Sequence, residues 1–242
     1  MQARLQTTLD ILFPPRCVGC GALVAEDFAL CGRCWGATPF ITGLTCDGCG
    51  APLPGPSDAA AVHCDDCLTL RRPWRAGRSA LIYRDLGRRL VLALKHGGRL
   101  EVARPAAQWM QRAARDLPLE GVLVAPVPLH WTRLFRRTFN QAAVLAQAFA
   151  ARGGHACCPD LLRRDTRTAS LDHKSPSARF AALEGAVSLN PRHGHRIDGQ
   201  PVLLIDYVMT SGATLTAASR ACLAAGSGPV FVLTLARAVK DA

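Results

Sequence analysis

Eight of the chain's eleven cysteines fall within the first 67 residues, as four Cys-x2-Cys pairs: Cys17 and Cys20, Cys31 and Cys34, Cys46 and Cys49, Cys64 and Cys67. The stretch "CVGCGA" at 17–22 recurs as "CDGCGA" at 46–51, and each copy is followed by a second pair, "CGRC" or "CDDC". Two short knuckles brought face to face across a loop of ten or fourteen residues are what a closed tetrahedral four-thiolate site requires. Gly21 and Gly50 supply the left-handed backbone such a turn needs. The repeat predicts two structural Zn²⁺ ions, one on Cys17, Cys20, Cys31 and Cys34 and one on Cys46, Cys49, Cys64 and Cys67; the spacing alone also admits interleaved pairing. Four thiolates leave no coordination position for water, so these metals would hold structure and not catalyse. His63, beside Cys64, reads as a surface histidine. Metal is also the better use of so many paired thiols in a reducing compartment, where disulfides are rare.

A second group lies at 202–218, "VLLIDYVMTSGATLTAA". An apolar run ends in Asp206 and Tyr207, and Thr210, Ser211, Gly212, Ala213 and Thr214 lead into a helical pattern. A helix N-terminus offers backbone N–H groups and the positive end of a dipole, Gly212 lets an anion approach, and the hydroxyls of Thr210, Ser211 and Thr214 add donors. Asp206 can accept from sugar hydroxyls or from water on a bound cation. The chemistry is phosphate binding, although a plain strand-turn-helix with a hydroxyl cap uses the same residue types. Lys95 and His96, ahead of Gly97 and Gly98, set cations beside a flexible turn, which suits a diphosphate or a solvated helix end. Arg133, Arg136 and Arg137 form a further basic loop ahead of Asn140, open to a phosphate substrate, a nucleic-acid backbone or solvent.

These groups need elements to position them. "RSALIYRD" reads as a strand, and "LGRRLVLALKH" puts Leu86, Leu90, Val91 and Leu94 on one helical face. "VARPAAQWMQRAARDL" is a second helix, "GVLVAPVPL" a buried strand, "NQAAVLAQAFAARGG" a helix stopped by glycines, "QPVLLIDYV" a buried strand, "ATLTAASRACLAAGSG" a helix and "PVFVLTLA" a last strand. Near-continuous apolar strands alternating with helices predict an α/β fold with a mainly parallel sheet covered on both faces, ligands lying beyond the carboxyl ends of its strands. The basic, proline-containing "RRPW" at 71–74 marks a boundary near residue 72, dividing an N-terminal double zinc ribbon, with a short lead, at 1–72 from the α/β domain at 73–242.

The formal net charge is +11, and eight thiolates on two Zn²⁺ would lower it to about +7. A basic protein favours a polyanionic partner, nucleic acid or a phosphorylated small molecule; a basic surface also serves solubility alone. The N-terminus lacks the shape of a secretory signal and no apolar run is long enough to span a bilayer, so a cytoplasmic location is expected.

"IDYVMTSGAT" resembles the phosphoribosyl-diphosphate loop of type I phosphoribosyltransferases, which carries two adjacent acids before a Thr/Ser-Gly-rich turn. With the cysteine-rich front, the resemblance narrows to the ComF family of competence-associated proteins, which join a double zinc ribbon to a phosphoribosyltransferase-like domain. "LVLALKHGGRLEVA" looks like that family's Lys-x-x-Gly segment, and "PVPLHWTRLFRRTFNQAAVLAQAFA" like its Pro-Val-Pro and Phe-Asn-Gln block. The resemblance covers nearly the whole chain. It implies a phosphoribosyl-diphosphate-type ligand bound with Mg²⁺ at Asp206, Tyr207, Thr210, Ser211, Gly212, Ala213 and Thr214, with Asp206 and Lys95 in catalytic roles.

Three departures bear on activity. Thr138 stands where the family commonly has glycine, the segment from Thr166 to Val187 lacks the family's glutamine and asparagine, and Tyr207 replaces the second acid. Tyrosine carries no charge near neutral pH. If the missing carboxylate stabilised the positive charge growing on the sugar, its loss costs about 3 kcal/mol, a hundredfold in rate. Binding should suffer less, since the phosphate contacts remain; a Tyr207 that merely packs against a neighbour would change little.

Two functions stand beside each other. One is an enzyme-like domain that binds phosphoribosyl diphosphate and transfers its sugar slowly or not at all. The other is an accessory in competence and DNA uptake, working with competence proteins, in which the ribbons and the ten Lys and Arg residues between Arg71 and Arg104 contact single-stranded DNA, Trp35, Trp74 and Trp131 offering rings for bases. A regulator that senses the phosphoribosyl ligand would merge them.

Overall fold

The computed structural model describes residues 13–56, 61–96, 98–130, 132, 139–166 and 175–239. Gly97, Trp131, Arg133, Arg136, Arg137 and Thr138, singled out above, lie outside them.

The strands are β1 (Ala76–Ile82), β2 (Leu123–Pro126), β3 (Ala156–Cys157), β4 (Leu162–Arg164), β5 (Val187–Leu189), β6 (Val202–Met209) and β7 (Val230–Arg237). Five of them form one parallel sheet in the order β1-β7-β6-β2-β3, and β4 pairs with β5 antiparallel. The apolar runs become the central strands: every residue of β7 and the first five of β6 are buried. This is what a sheet covered on both faces demands. The α/β class and the mainly parallel sheet are as the alternation of runs predicts.

The helices are α1 (Gly32–Ala37), α2 (Asp65–Thr69), α3 (Asp85–His96), α4 (Ala103–Ala113), α5 (Gln141–Gly153), α6 (Pro176–Ala181) and α7 (Ala213–Ala224). Helix α3 buries Leu86, Leu90, Val91 and Leu94, the expected face. Helix α5 ends where Gly154 turns left-handed at φ 67° and returns its N–H to the Ala150 carbonyl. Together α3, α4 and α5 cover one face of the sheet, packing with Leu203, Ile205, Phe231, Leu233 and Leu235. The other face, with Val202, Leu204, Val230 and Val232, carries Leu215, Ala218 and Cys222 of α7, the β4–β5 pair and the second cysteine ribbon.

The internal repeat is reproduced in its principal backbone hydrogen bonds. Cys17 and Cys46 donate their N–H groups to Ala22 and Ala51, and the N–H groups of Cys31 and Cys64 each donate to a sulfur, Cys17 Sγ and Cys46 Sγ, at 3.2 Å. Gly21 and Gly50 take the expected left-handed turns, φ 77° and 67°. Their surroundings differ. A Cβ at Gly21 would meet open space, whereas one at Gly50 would stand 2.5 Å from the Ser79 backbone nitrogen in β1. The second ribbon is sewn to the sheet there: Gly77 donates to the Asp47 carbonyl, Trp74 Nε1 to the Gly48 carbonyl, and the buried Arg78 pairs with Asp47 at 2.8 Å and Asp116 at 2.6 Å.

Strands β3, β4 and β5 have no counterpart among the expected elements. They are two or three residues long, and β4 alternates a buried leucine, an exposed arginine and a buried arginine, so no apolar run announces them.

The glycine pair offers a matched test. Gly21→Ala carries only the left-handed penalty, about 1 kcal/mol, while Gly50→Ala adds a backbone clash and should cost about 3 kcal/mol. In zinc-saturated buffer the first should lower the melting temperature by roughly 3 °C and the second about three times as much. Equal shifts would show that the second ribbon is not seated on β1.

Candidate functional site

The loop after β6 is held from behind by two arginines. Arg237, the last residue of β7 and buried, donates from Nη1 to the Met209 carbonyl at 3.2 Å and the Thr210 carbonyl at 2.7 Å, and to its neighbour Ala238. Arg72 donates from Nη1 to the Ser211 carbonyl at 2.8 Å. Three successive carbonyls are thereby drawn to one side, and the chain enters α7 through Gly212 at φ 82°, with the Ala213 N–H 3.4 Å from Ser211 Oγ. The first-turn N–H groups of α7 carry the positive end of its dipole. A Cβ on Gly212 would lie 2.8 Å from Arg72 Nη1 and 3.3 Å from the Trp74 ring, so glycine is required by the clamp as well as by φ. Thr210 Oγ1 accepts from Arg179 Nη1 at 3.0 Å, which adds a third guanidinium to the rim.

Both arginines of the clamp also reach the second cysteine group. Arg72 Nε lies 3.4 Å from Cys67 Sγ with its guanidinium over the Trp74 ring, and Arg237 Nη2 lies 3.9 Å from Asp66, next to Cys67 in sequence. The cysteines gather as the repeat predicts: ligand atoms of Cys17, Cys20, Cys31 and Cys34 lie within 4.8 Å of one another, and so do those of Cys46, Cys49, Cys64 and Cys67. Exposed His63 belongs to neither set. Four convergent sulfurs, with backbone N–H groups donating to one of them, fit structural Zn²⁺ in each ribbon.

Asp206 is 7% exposed, with Oδ1 accepting the Tyr207 N–H at 2.7 Å. Burial pushes its carboxyl up to about 7, against the N–H groups of Tyr207 and Val208 and the charges of Arg164 and Lys95. Lys95, proposed from sequence, is thus within electrostatic reach of Asp206. Arg164 was not anticipated; the alternation of β4 was the available signal, because it turns Arg164 and not Arg163 inward. Tyr207 sits on the opposite side of β6 from Asp206, packed part-buried against the core shared with Leu203 and Ile205. Ser211 is half-buried and Thr214 half-buried at the start of α7, while Thr210 is exposed and Ala213 buried.

The remaining motifs fasten this end of the sheet. Asn140 caps α5, accepting the Ala142 N–H, and its Nδ2 donates to the Val127 carbonyl inside Pro-Val-Pro. Gln141 is fully buried and donates to the Lys95 carbonyl at 3.1 Å. Residues far apart in sequence are tied into one frame beside Asp206.

Such a chain is a double zinc ribbon protein carrying an α/β domain with a clamped loop at the strand ends. The double zinc ribbon domain family matches residues 8–68. The DNA utilization protein YhgH of Salmonella typhi is 30% identical over 221 residues, covering 89% of this chain and 93% of that protein. Competence protein ComFC of Bacillus subtilis is 26% identical over 225 residues, 89% of this chain and 87% of that one, and competence protein F of Haemophilus influenzae 27% identical over 229 residues, 92% and 97%. The chain belongs to the ComF family. Among solved structures, the allosteric regulatory enzyme of purine biosynthesis aligns at TM-score 0.39 and 17% identity, covering 60% of this chain and 30% of that one. An adenine phosphoribosyltransferase of Thermoanaerobacter pseudethanolicus aligns at 0.37 and 12%, covering 58% and 83%. Among the described residues no helix is long and apolar enough to cross a membrane.

The raised Asp206 carboxyl has a signed consequence. The folded state favours its neutral form, so this group's contribution to stability is full below its ordinary 3.8 and is lost as pH rises towards about 7. Asp206→Asn stays neutral throughout. Without ligand, the variant should melt several degrees above the native protein near pH 8, with the gap closing towards about pH 4. A gap independent of pH would show that Asp206 is charged and compensated in the fold.

Proposed function

We propose that the α/β domain is phosphoribosyltransferase-like and binds a phosphoribosyl-diphosphate-type ligand with Mg²⁺, with transfer slowed or lost. The observation that carries this reading is the loop at 209–212, whose carbonyls are pinned backwards by Arg72 and Arg237 at the positive end of α7. The 5′-phosphate would sit on the N–H groups and hydroxyls of Thr210, Ser211, Gly212, Ala213 and Thr214. Asp206 would hold the ribose hydroxyls, and Lys95 would meet the diphosphate. Mg²⁺ would neutralise that diphosphate as a leaving group. Tyr207, turned towards the apolar core, leaves the site with one carboxylate where the resembled transferases have two. Binding is therefore favoured over turnover.

Calorimetric titration of Mg²⁺-phosphoribosyl diphosphate into the native chain should give saturable heat. Gly212→Ala, which strains the turn and displaces Arg72, should weaken binding at least tenfold. No saturable heat from the native chain would overturn the proposal. Removing zinc with a chelator should weaken binding in parallel, because Arg72 loses the Cys67 thiolate that orients it.

A second reading, contact with single-stranded DNA, is favoured by a cleft of about 720 Å³ lined by Trp35, by the segment that joins the two ribbons, by Asp47 and Val62 of the second ribbon, by β1 and by the end of α4. Trp35, 48% exposed, leans on Phe40 at 4.7 Å between ring centroids, and Phe40 meets Trp109 edge-on at 5.6 Å, with Arg112 and Arg115 on the same wall. The exposed Trp35 ring beside cations suits a stacked base and a phosphate backbone. Affinity for an oligothymidylate should fall steeply with salt, and Trp35→Ala should weaken it about tenfold. An affinity indifferent to salt would sink this reading.

A further inference from the structure

A third group of ligating atoms converges outside both ribbons, where the chain leaves edge strand β3. Cys158, Asp160 and His193 each bring one ligand atom, all within 4.8 Å of one another. Cys158 Sγ lies 3.8 Å from Asp160 Oδ1, and His193 Nε2 lies 2.9 Å from the same oxygen. The three come from two segments more than thirty residues apart, and the backbone holds them in place. Cys158 donates its N–H to the Val124 carbonyl of β2, Asn190 donates to the Leu161 carbonyl, and His193 donates to the Asn190 carbonyl.

Asn190 gives the cluster the form of a coordination site. Its Nδ2 donates to Asp160 Oδ2 at 3.2 Å and to the Asp160 carbonyl at 3.0 Å, while its Oδ1 accepts the Arg192 N–H. One carboxylate oxygen is thus occupied and the other is presented to sulfur and imidazole. A ligating carboxylate held this way by an outer hydrogen bond is how metal sites fix ligand orientation. Burial is graded: Cys158 is 1% exposed at the base, the His193 side chain is part-buried, and Asp160 stands at the open rim.

We propose that Cys158 Sγ, Asp160 Oδ1 and His193 Nε2 bind a Zn²⁺-type ion, with water from the open side as the fourth ligand. The donor set of thiolate, carboxylate and imidazole is borderline-soft and suits Zn²⁺ over Mg²⁺ or Ca²⁺, which take oxygen. Three protein ligands with an open position distinguish this site from the closed four-sulfur ribbons. The ion would lock the 3₁₀ turn at Pro191–Arg196 to the segment that follows β3.

Equilibrium dialysis of the full-length chain against buffered free zinc, followed by metal analysis, tests this. Native protein should hold three zinc ions per chain, the two of the ribbons and this one, and Asp160→Asn and His193→Gln should each hold two, with unchanged circular dichroism. The chelator-labile ion should be the third, since its coordination is open. Two ions in the native protein would overturn the proposal regardless of how the variants fold. Three ions retained by both variants would overturn it as well, because the additional zinc would then reside elsewhere.

Discussion

The structure turns on the two guanidiniums that stand between the second zinc ribbon and the loop after β6. Arg72 and Arg237 take the carbonyls of Met209, Thr210 and Ser211, and without such donors these carbonyls could not face inward. A guanidinium that is itself as buried as Arg237 needs countercharge. The four thiolates of Cys46, Cys49, Cys64 and Cys67 on one Zn²⁺ carry a net negative charge, and Cys67 and Asp66 lie against the arginines. Metal, arginines and loop form one electrostatic unit, in which each part makes the burial of the next tolerable.

The two ribbons share a sequence motif and a bond pattern, yet they meet different surroundings. The second is packed into the core beside Val202, Leu204 and Val230, pressed so closely on β1 that Gly50 and Gly77 have no room for a side chain. The first leaves Cys20 exposed, and both ribbons border the aromatic cleft. Duplication thus supplies one ribbon seated in the core against the loop and another that stands more exposed.

Tyr207 takes its meaning from strand geometry. Successive residues of β6 point to opposite faces, so Asp206 turns to the side of Val202 and Leu204 while Tyr207 joins the Leu203 and Ile205 side. A carboxylate in place of Tyr207 would meet apolar neighbours. The lone acid and its packing are therefore parts of the same local solution. Burial raises that acid's carboxyl.

From the sequence alone, what could be read was whatever depends on geometry over a few residues. The internal cysteine repeat indicated both four-sulfur sets, the 3.6-residue period defined the buried face of α3, and the apolar run ending at Asp206 placed the loop at a strand end. Short-range periods survive folding because chain geometry enforces them wherever the segment ends up. The tertiary structure decided which of 29 Lys and Arg residues matter, selecting Arg72, Arg164 and Arg237 from a basic background. It also paired β4 with β5, tied Gln141 to Lys95, and brought Cys158 and Asp160 to His193. An arginine or a lone histidine has the same local signature in solvent as in a clamp, and only packing across long sequence separations gives it a partner.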